Sequence, residues 1–158
     1  MNFQIEMATE NNVSQILAMI HEFAAFENLS EFCEVTEDDL RDAMFGKNPV
    51  LEGLIALSEK EPVGYALFFP NFSSFRGTKG FYLEDIFVKP EYRGQKIGEF
   101  LIKKLAQIAK QRNFQRIDFL VLDWNESAIK FYKKFGAEAD ESERHFKFTD
   151  QAFSKLTD

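Results

Sequence analysis

Residues 81–98 constrain the fold of this chain more than any other stretch. Phe81 to Val88 is an apolar run that reads as a strand. Lys89-Pro90-Glu91-Tyr92-Arg93-Gly94 breaks it, and Ile97, Phe100, Leu101, Leu105 and Ile108 then mark an amphipathic helix to about Arg112. A strand that ends in a glycine-containing turn and passes into a helix leaves free N–H groups at the helix start. Together with the helix dipole these form an anion site, for which a pyrophosphate is the natural guest. Gly94 and Gly98 let backbone and ligand approach closely, and Arg93 supplies a fixed positive charge. The glycines alone would equally fit a plain strand-to-helix connection.

The rest of the chain supplies the sheet around that unit. Phe3 to Ala8 reads as a short strand with Phe3, Ile5 and Met7 on one face, and Val13 to Ala24 as a helix. Thr36, with Asp39 three residues on, starts a second helix that ends at Gly46. Leu51–Leu57 and Val63–Phe69 read as strands joined by a polar turn, and Pro70–Gly80 as a loop. Ile117–Leu122 is a further strand, Asn125–Phe135 a short helix, and His145–Phe148 a weak last strand. Early strands linked by hairpins and later ones linked through a helix make an α/β fold. It has a mixed, mostly antiparallel central sheet with helices on both faces. With no linker or repeat, residues 1–158 read as a single domain.

Charge and composition narrow the function. A net charge of -7 argues against a nucleic-acid partner, which needs a basic stripe. It suits a cationic one, although the same charge also serves solubility. No run approaches a membrane span, and the first residues lack the pattern of a signal peptide, so the expected location is cytoplasmic. The single cysteine, Cys33, lies between Glu31 and Glu34, which disfavour a thiolate. His21 and His145 have no partners in sequence, and no metal site is expected. Leu83-Glu84-Asp85 puts two acids inside an otherwise apolar strand, where neighbouring side chains point to opposite faces. One can face a cleft and take a proton from an ammonium while the other meets a structural partner. For Asp85 a buried pairing and a functional role are equally open.

The segment Arg93-Gly94-Gln95-Lys96-Ile97-Gly98 resembles the coenzyme A signature of the Gcn5-related N-acetyltransferases, with Lys96 where glycine is usual. Trp124 to Gly136 resembles the second coenzyme-proximal helix of that family. Within it, Phe26-Glu27, Thr36 to Leu40, Phe45-Gly46, Tyr82 to Asp85, Tyr92-Arg93-Gly94 and Trp124-Asn125-Glu126 look like the spermidine/spermine (diamine) and thialysine acetyltransferase branch.

The resemblance implies an acetyl-CoA-dependent N-acetyltransferase in which acetyl-CoA, the co-substrate, enters between splayed strands Phe81–Val88 and Arg116–Leu122. Ile86, Phe87 and Val88 would meet the acetyl and pantetheine region through backbone N–H groups. Arg93, Gly94, Gln95, Lys96, Ile97 and Gly98 would hold the pyrophosphate, and Asn125 and Ser127 would lie at the cofactor. Phe26, Glu27, Glu84, Asp85 and Leu120 would form the amine pocket. Glu84 would take the amine proton, and Tyr132 would protonate the leaving thiolate. The resemblance also implies a homodimer, an expectation that the weak C-terminal strand shares. Two polyamine features are absent: Asn71–Phe75 carries no acid, and Arg144 stands where an aromatic is expected. The implied acceptor is therefore a small cationic amine attacked directly in a ternary complex. The other readings are an acetyltransferase for protein lysines or N-termini, and a binding module that senses acyl-CoA without transfer.

Overall fold

The computed structural model describes residues 3–157, which fall into two compact units divided after Leu120. The first holds a five-stranded sheet in the order β1-β2-β3-β4-β5. The strands are β1 (Phe3–Met7), β2 (Glu52–Ser58), β3 (Glu61–Ser73), β4 (Thr78–Val88) and β5 (Arg116–Asp118). All neighbours pair antiparallel except β4 and β5, which are parallel and joined through α3 (Ile97–Gln111). Between β1 and β2 lie α1 (Val13–Phe26) and α2 (Glu37–Phe45).

Alternation along the strands gives the sheet two cores. On one face Leu54, Ala56, Phe68, Phe81 and Leu83 pack with Leu101 and Leu105 of α3. On the other, Ile55, Tyr65, Leu67 and Phe87 pack with Ile16 and Met19 of α1 and with Leu40 and Met44 of α2. Each large apolar side chain removed from water in this way stabilises by about 1.5–3 kcal/mol. α2 starts as its sequence dictates. Thr36 Oγ1 accepts from the Asp39 N–H (3.1 Å), and the Asp39 carboxylate accepts from the Thr36 N–H (3.0 Å). Such a cap is worth about 1 kcal/mol.

The sequence expectations need four corrections. Residues 70–80 are no loop: β3 continues to Ser73 and β4 begins at Thr78. Pro70 is tolerated because β2 pairs with β3 only as far as Phe68, so Pro70 lies where β3 has lost that neighbour. The β2–β3 turn is shorter than expected. Glu59 and Lys60 both take positive φ (51° and 75°), the signature of a two-residue hairpin, and Pro62 already belongs to β3. β5 stops at Asp118, not at Leu122, and Leu120 is 60% exposed. The strand proposed at His145–Phe148 does not form. Phe146 and Phe148 are exposed, and the segment leads into a helix, Asp150–Ser154. One of the two grounds for expecting a homodimer goes with it.

The second unit contains α4 (Glu126–Lys134) and α5 (Asp150–Ser154). None of the described helices is long and apolar enough to cross a membrane.

Two backbone features of β4 shape the functional end of the sheet. The ladder between β4 and β5 has three pairs, Gly80↔Arg116, Phe81↔Ile117 and Tyr82↔Asp118, and then ends, so the two strands part at Leu83. Against β3, Leu67 faces Asp85 but Phe68 faces Leu83, which leaves Glu84 as the extra residue of a β-bulge. The closed end of the parting is clamped by side chains. Asp118 accepts from Asn71 Nδ2 (2.7 Å) and from Arg116 Nε (2.7 Å), and its pKa is lowered chiefly by the Arg116 hydrogen bond. Gly80 lies in the middle of that row, where a Cβ would come within 2.6 Å of the Arg116 carbonyl oxygen and 3.0 Å of Asn71 Oδ1. Gly80→Ala is therefore expected to destabilise the chain by about 1–3 kcal/mol, the usual cost of overpacking. Urea denaturation measures this, and a variant as stable as the parent would show that the row opens to admit a methyl group.

Candidate active site

Three acids meet at the bulge. Glu27 caps the C-terminal end of α1, and its pKa is raised by burial. Asp85, on β4, is half-buried, and its carboxyl is pushed up to about 6. Burial is the largest cause, followed by the negative charges of Glu84 and Glu27. The Tyr65 hydroxyl, which donates to Asp85 Oδ2 at 3.5 Å, acts in the opposite direction. Glu84, on the bulge itself, is exposed. The bulge thus turns one acid to solvent while its neighbour meets a buried phenol, the division expected for adjacent residues of a strand. Like charges gathered in a partly desolvated corner repel one another and attract a cation.

From β4 the chain runs through a turn that differs in detail from the sequence picture. The Arg93 guanidinium does not stand free: Nε donates to the Val88 carbonyl (3.0 Å), and the group lies 4.4 Å from the centre of the Phe26 ring and 5.7 Å from that of Phe87. Gly94 takes φ +78°, with open space where a side chain would be. Lys96 takes φ 65° as the residue before α3, a left-handed conformation that costs a non-glycine residue about 1–2 kcal/mol. That explains why glycine is the expected residue there, and why lysine is accepted at a cost in stability rather than in shape. Behind the turn Ile97 is fully buried, which fixes the start of α3 and the direction of its first N–H groups.

The first unit therefore brings Phe26, Glu27, Glu84, Asp85, Phe87, Val88 and Arg93 to one end of β4, next to Gly94, Gln95, Lys96, Ile97 and Gly98. Ile86 packs into the α3 core on the same strand. Leu120 follows β5 as an exposed apolar side chain.

Asn125, Ser127 and Tyr132 belong to the second unit. Asn125 caps α4, its Oδ1 accepting from the Ala128 N–H at 3.1 Å. Tyr132 is half-buried, and burial pushes its phenol up to about 12. Its ring lies edge-to-face with Phe131 at 5.2 Å.

Two features escape a reading of the sequence. Tyr65 sits in the apolar run Val63–Phe69 and is fully buried. The signal is there, since a buried phenol needs a hydrogen-bond partner, but nothing in the sequence names Asp85 as that partner. His21 and Cys33 approach across the end of α1, with Nδ1 and Sγ 3.5 Å apart, a contact that twelve residues of separation conceal.

Known proteins share both the sequence and the fold. The profile of the acetyltransferase (GNAT) family matches residues 17–137. A thialysine N-epsilon-acetyltransferase of Sus scrofa is 39% identical, over 96% of this chain and 95% of that protein. An L-ornithine N5-acetyltransferase of Arabidopsis thaliana is 27% identical, over 97% and 87%. An integron cassette protein from the mobile metagenome of V. cholerae superposes with a TM-score of 0.84 at 25% identity, covering 99% of this chain and 98% of its own.

The raised pKa of Asp85 makes a prediction about stability. An acid whose folded pKa (about 6) exceeds its ordinary value (3.8) binds more protons when folded between those limits. Stability then falls as pH rises from about 4 to 6, and the loss persists at pH 7. Asp85→Asn removes the charge and keeps the shape. It should stabilise the fold at pH 7 by roughly 1–3 kcal/mol and have little effect at pH 4. Denaturation curves at the two pH values decide it; an equal change at both would mean that the charge of Asp85 is not what the fold resists.

Proposed function

The chain belongs to the acetyltransferase (GNAT) family and is an acetyl-CoA-dependent N-acetyltransferase; on that premise we propose that its acceptor is the side-chain amine of a small cationic molecule of the lysine-analogue type. The observation that carries this is the corner of three acids at the end of β4, directly before the turn at 93–98. Two relatives are named for side-chain amines of amino acids, the N-epsilon of thialysine and the N5 of L-ornithine, and this supports a short acceptor over a long polyamine.

Acetyl-CoA lies along the edge of β4 that is left unpaired where β5 ends. Backbone groups of Ile86 to Val88 meet its acyl and pantetheine end, and the N–H groups of Gly94 to Gly98 meet its pyrophosphate. Asn125 and Ser127 belong to the cofactor side, and Phe26 and Leu120 to the apolar lining of the amine pocket. Glu27 and Asp85 hold the ammonium by charge, and Glu84, the exposed acid of the bulge, takes its proton directly or through water. The free amine nitrogen attacks the thioester carbon, the adduct's nitrogen gives up its second proton to solvent, the C–S bond breaks, and the thiolate of coenzyme A leaves with a proton from Tyr132, whose phenolate regains one from solvent. Backbone donors stabilise the oxyanion in between. On this reading residues 1–158 are a single N-acetyltransferase domain.

The raised pKa of Tyr132 bears on the size of its contribution. A phenol at about 12 is fully protonated at working pH. Giving that proton even to a thiolate as weakly basic as that of cysteine, whose thiol has a pKa of about 8.5, is uphill by roughly 5 kcal/mol. The proton therefore moves late, once sulfur carries nearly its full charge. We expect Tyr132→Phe to lower turnover by about 10²-fold, the lower end of the general-acid range, with acetyl-CoA affinity within twofold of the parent. A turnover within a few-fold of the parent would make Tyr132 a packing residue.

Gly98→Val should weaken acetyl-CoA binding by at least about tenfold in calorimetry while the far-UV spectrum is unchanged, because a branched side chain stands where the phosphates approach. Unchanged affinity would move the pyrophosphate elsewhere. A panel of thialysine, L-ornithine and spermine, followed by release of free thiol, tests the acceptor. A higher kcat/KM for spermine than for either short amine overturns the size argument.

A further inference from the structure

The contacts of Arg93 assign it a task that its place in the turn does not announce. We propose that Arg93 is a positioning residue, clamping the acceptor wall at the end of α1 onto the end of β4, and is not a charge for the pyrophosphate. The proposal rests on the acetyltransferase reading only for what the wall is there to hold.

The wall is the last turn of a helix and the residues that leave it. Phe26 is the last residue of α1, Glu27 is its cap, and Asn28 turns the chain back with φ 58°. Phe26 is 43% exposed. The turn after β4 reaches this helix end at two points one helical turn apart. Lys89 Nζ lies 3.9 Å from Glu22 Oε1, and the Arg93 guanidinium lies 4.4 Å from the Phe26 ring centre. Residues 22 and 26 share one face of α1. Arg93 is itself tethered to the other side, since its Nε donates to the Val88 carbonyl at 3.0 Å. The guanidinium also lies 5.7 Å from the centre of the Phe87 ring, which itself packs near Phe23 (5.5 Å) and Tyr65 (6.2 Å). One side chain thus links the last carbonyl of β4, a core ring and the last ring of α1. A cation at a helix C-terminus is favoured by the dipole as well. A planar guanidinium donates from Nε while its face lies on a ring; an ammonium cannot do both. Glu27, next to Phe26, is in this way held over Asp85, whose pKa its charge helps to raise.

The test starts with the protein free of substrates. The N–H groups of Glu27, Asn28 and Leu29 bond back to the carbonyls of Phe23, Ala25 and Ala24, so their hydrogen exchange reports on the end of α1. In Arg93→Lys and Arg93→Met we expect exchange at these three amides to rise by about tenfold or more, with α3 unchanged. Phe26→Leu, which removes the ring from the other side of the contact, should do the same, and combining it with Arg93→Met should add little. In kinetics with acetyl-CoA and thialysine, both Arg93 variants should raise KM for thialysine about fivefold or more. The dissociation constant of acetyl-CoA and its salt dependence should stay within twofold. The clamp is overturned if exchange at 27–29 is unchanged in both Arg93 variants. It is also overturned if Arg93→Lys behaves as the parent while Arg93→Met loses acetyl-CoA affinity with a shallower salt dependence, the mark of a phosphate charge. Should the parent bind acetyl-CoA yet fail to acetylate thialysine, the acceptor assignment fails, and the exchange data still decide the clamp.

Discussion

A strand inside a sheet must satisfy its backbone polar groups on both edges, and β4 does so on one edge only for most of its length. Its parallel ladder with β5 lasts three residue pairs. The edge of β4 beyond Tyr82 then faces no strand among the described residues, although it belongs to an ordered, largely buried sheet. A backbone left in that state needs another partner, and an extended ligand carrying amide groups of its own is a fitting one. The clamp of Asn71, Asp118 and Arg116 around Gly80 decides where the parting begins. The acids at 84 and 85 and the turn at 93–98 all lie beyond that point.

The polar corner at the other end of β4 works against the stability of the fold. Burial and two like charges hold the Asp85 carboxyl near 6, and Lys96 adds a left-handed conformation that a side chain resists. Both are small local penalties, and both lie next to the turn that starts α3. Strain and mutual repulsion gathered around one site, with the two hydrophobic cores intact on either side, is the pattern of a sheet that carries chemistry as well as structure.

Much of this is legible in the sequence, for reasons that can be named. α1, α2, α3 and α4 follow from helical spacing and from caps such as Thr36 and Asn125, because those signals are local. The strand–turn–helix unit at 81–98 follows from its apolar run and its breakers. The length of β5 does not. Val121 and Leu122 are as apolar as a strand requires, but what ends β5 is the divergence from β4, a fact about a neighbour on the far side of α3 in the chain. The missing strand at His145–Phe148 is the same kind of failure, since apolar alternation without a partner edge makes no ladder. The hairpin through 70–80 is hidden by Pro70, Ser73 and Ser74, which read as a loop until pairing overrides them. In the candidate site, the acids and glycines are visible as residue types. The Tyr65–Asp85 hydrogen bond and the stacking of Arg93 on Phe26 are not, because each joins segments that lie far apart in sequence.

The bulge at Glu84 shifts the phase of β4. Before it, Phe81 and Leu83 face the α3 core, and after it Ile86 and Val88 do, although these are odd and even positions. One extra residue thus lets a single continuous strand change which of its positions are spoken for by the interior. The acids can vary at the point of slippage without any core side chain being exchanged for a polar one. The α3 side keeps its composition whatever the acids at 84 and 85 become, so this corner of the scaffold can change through substitutions on one surface, with the other left as a fixed foundation.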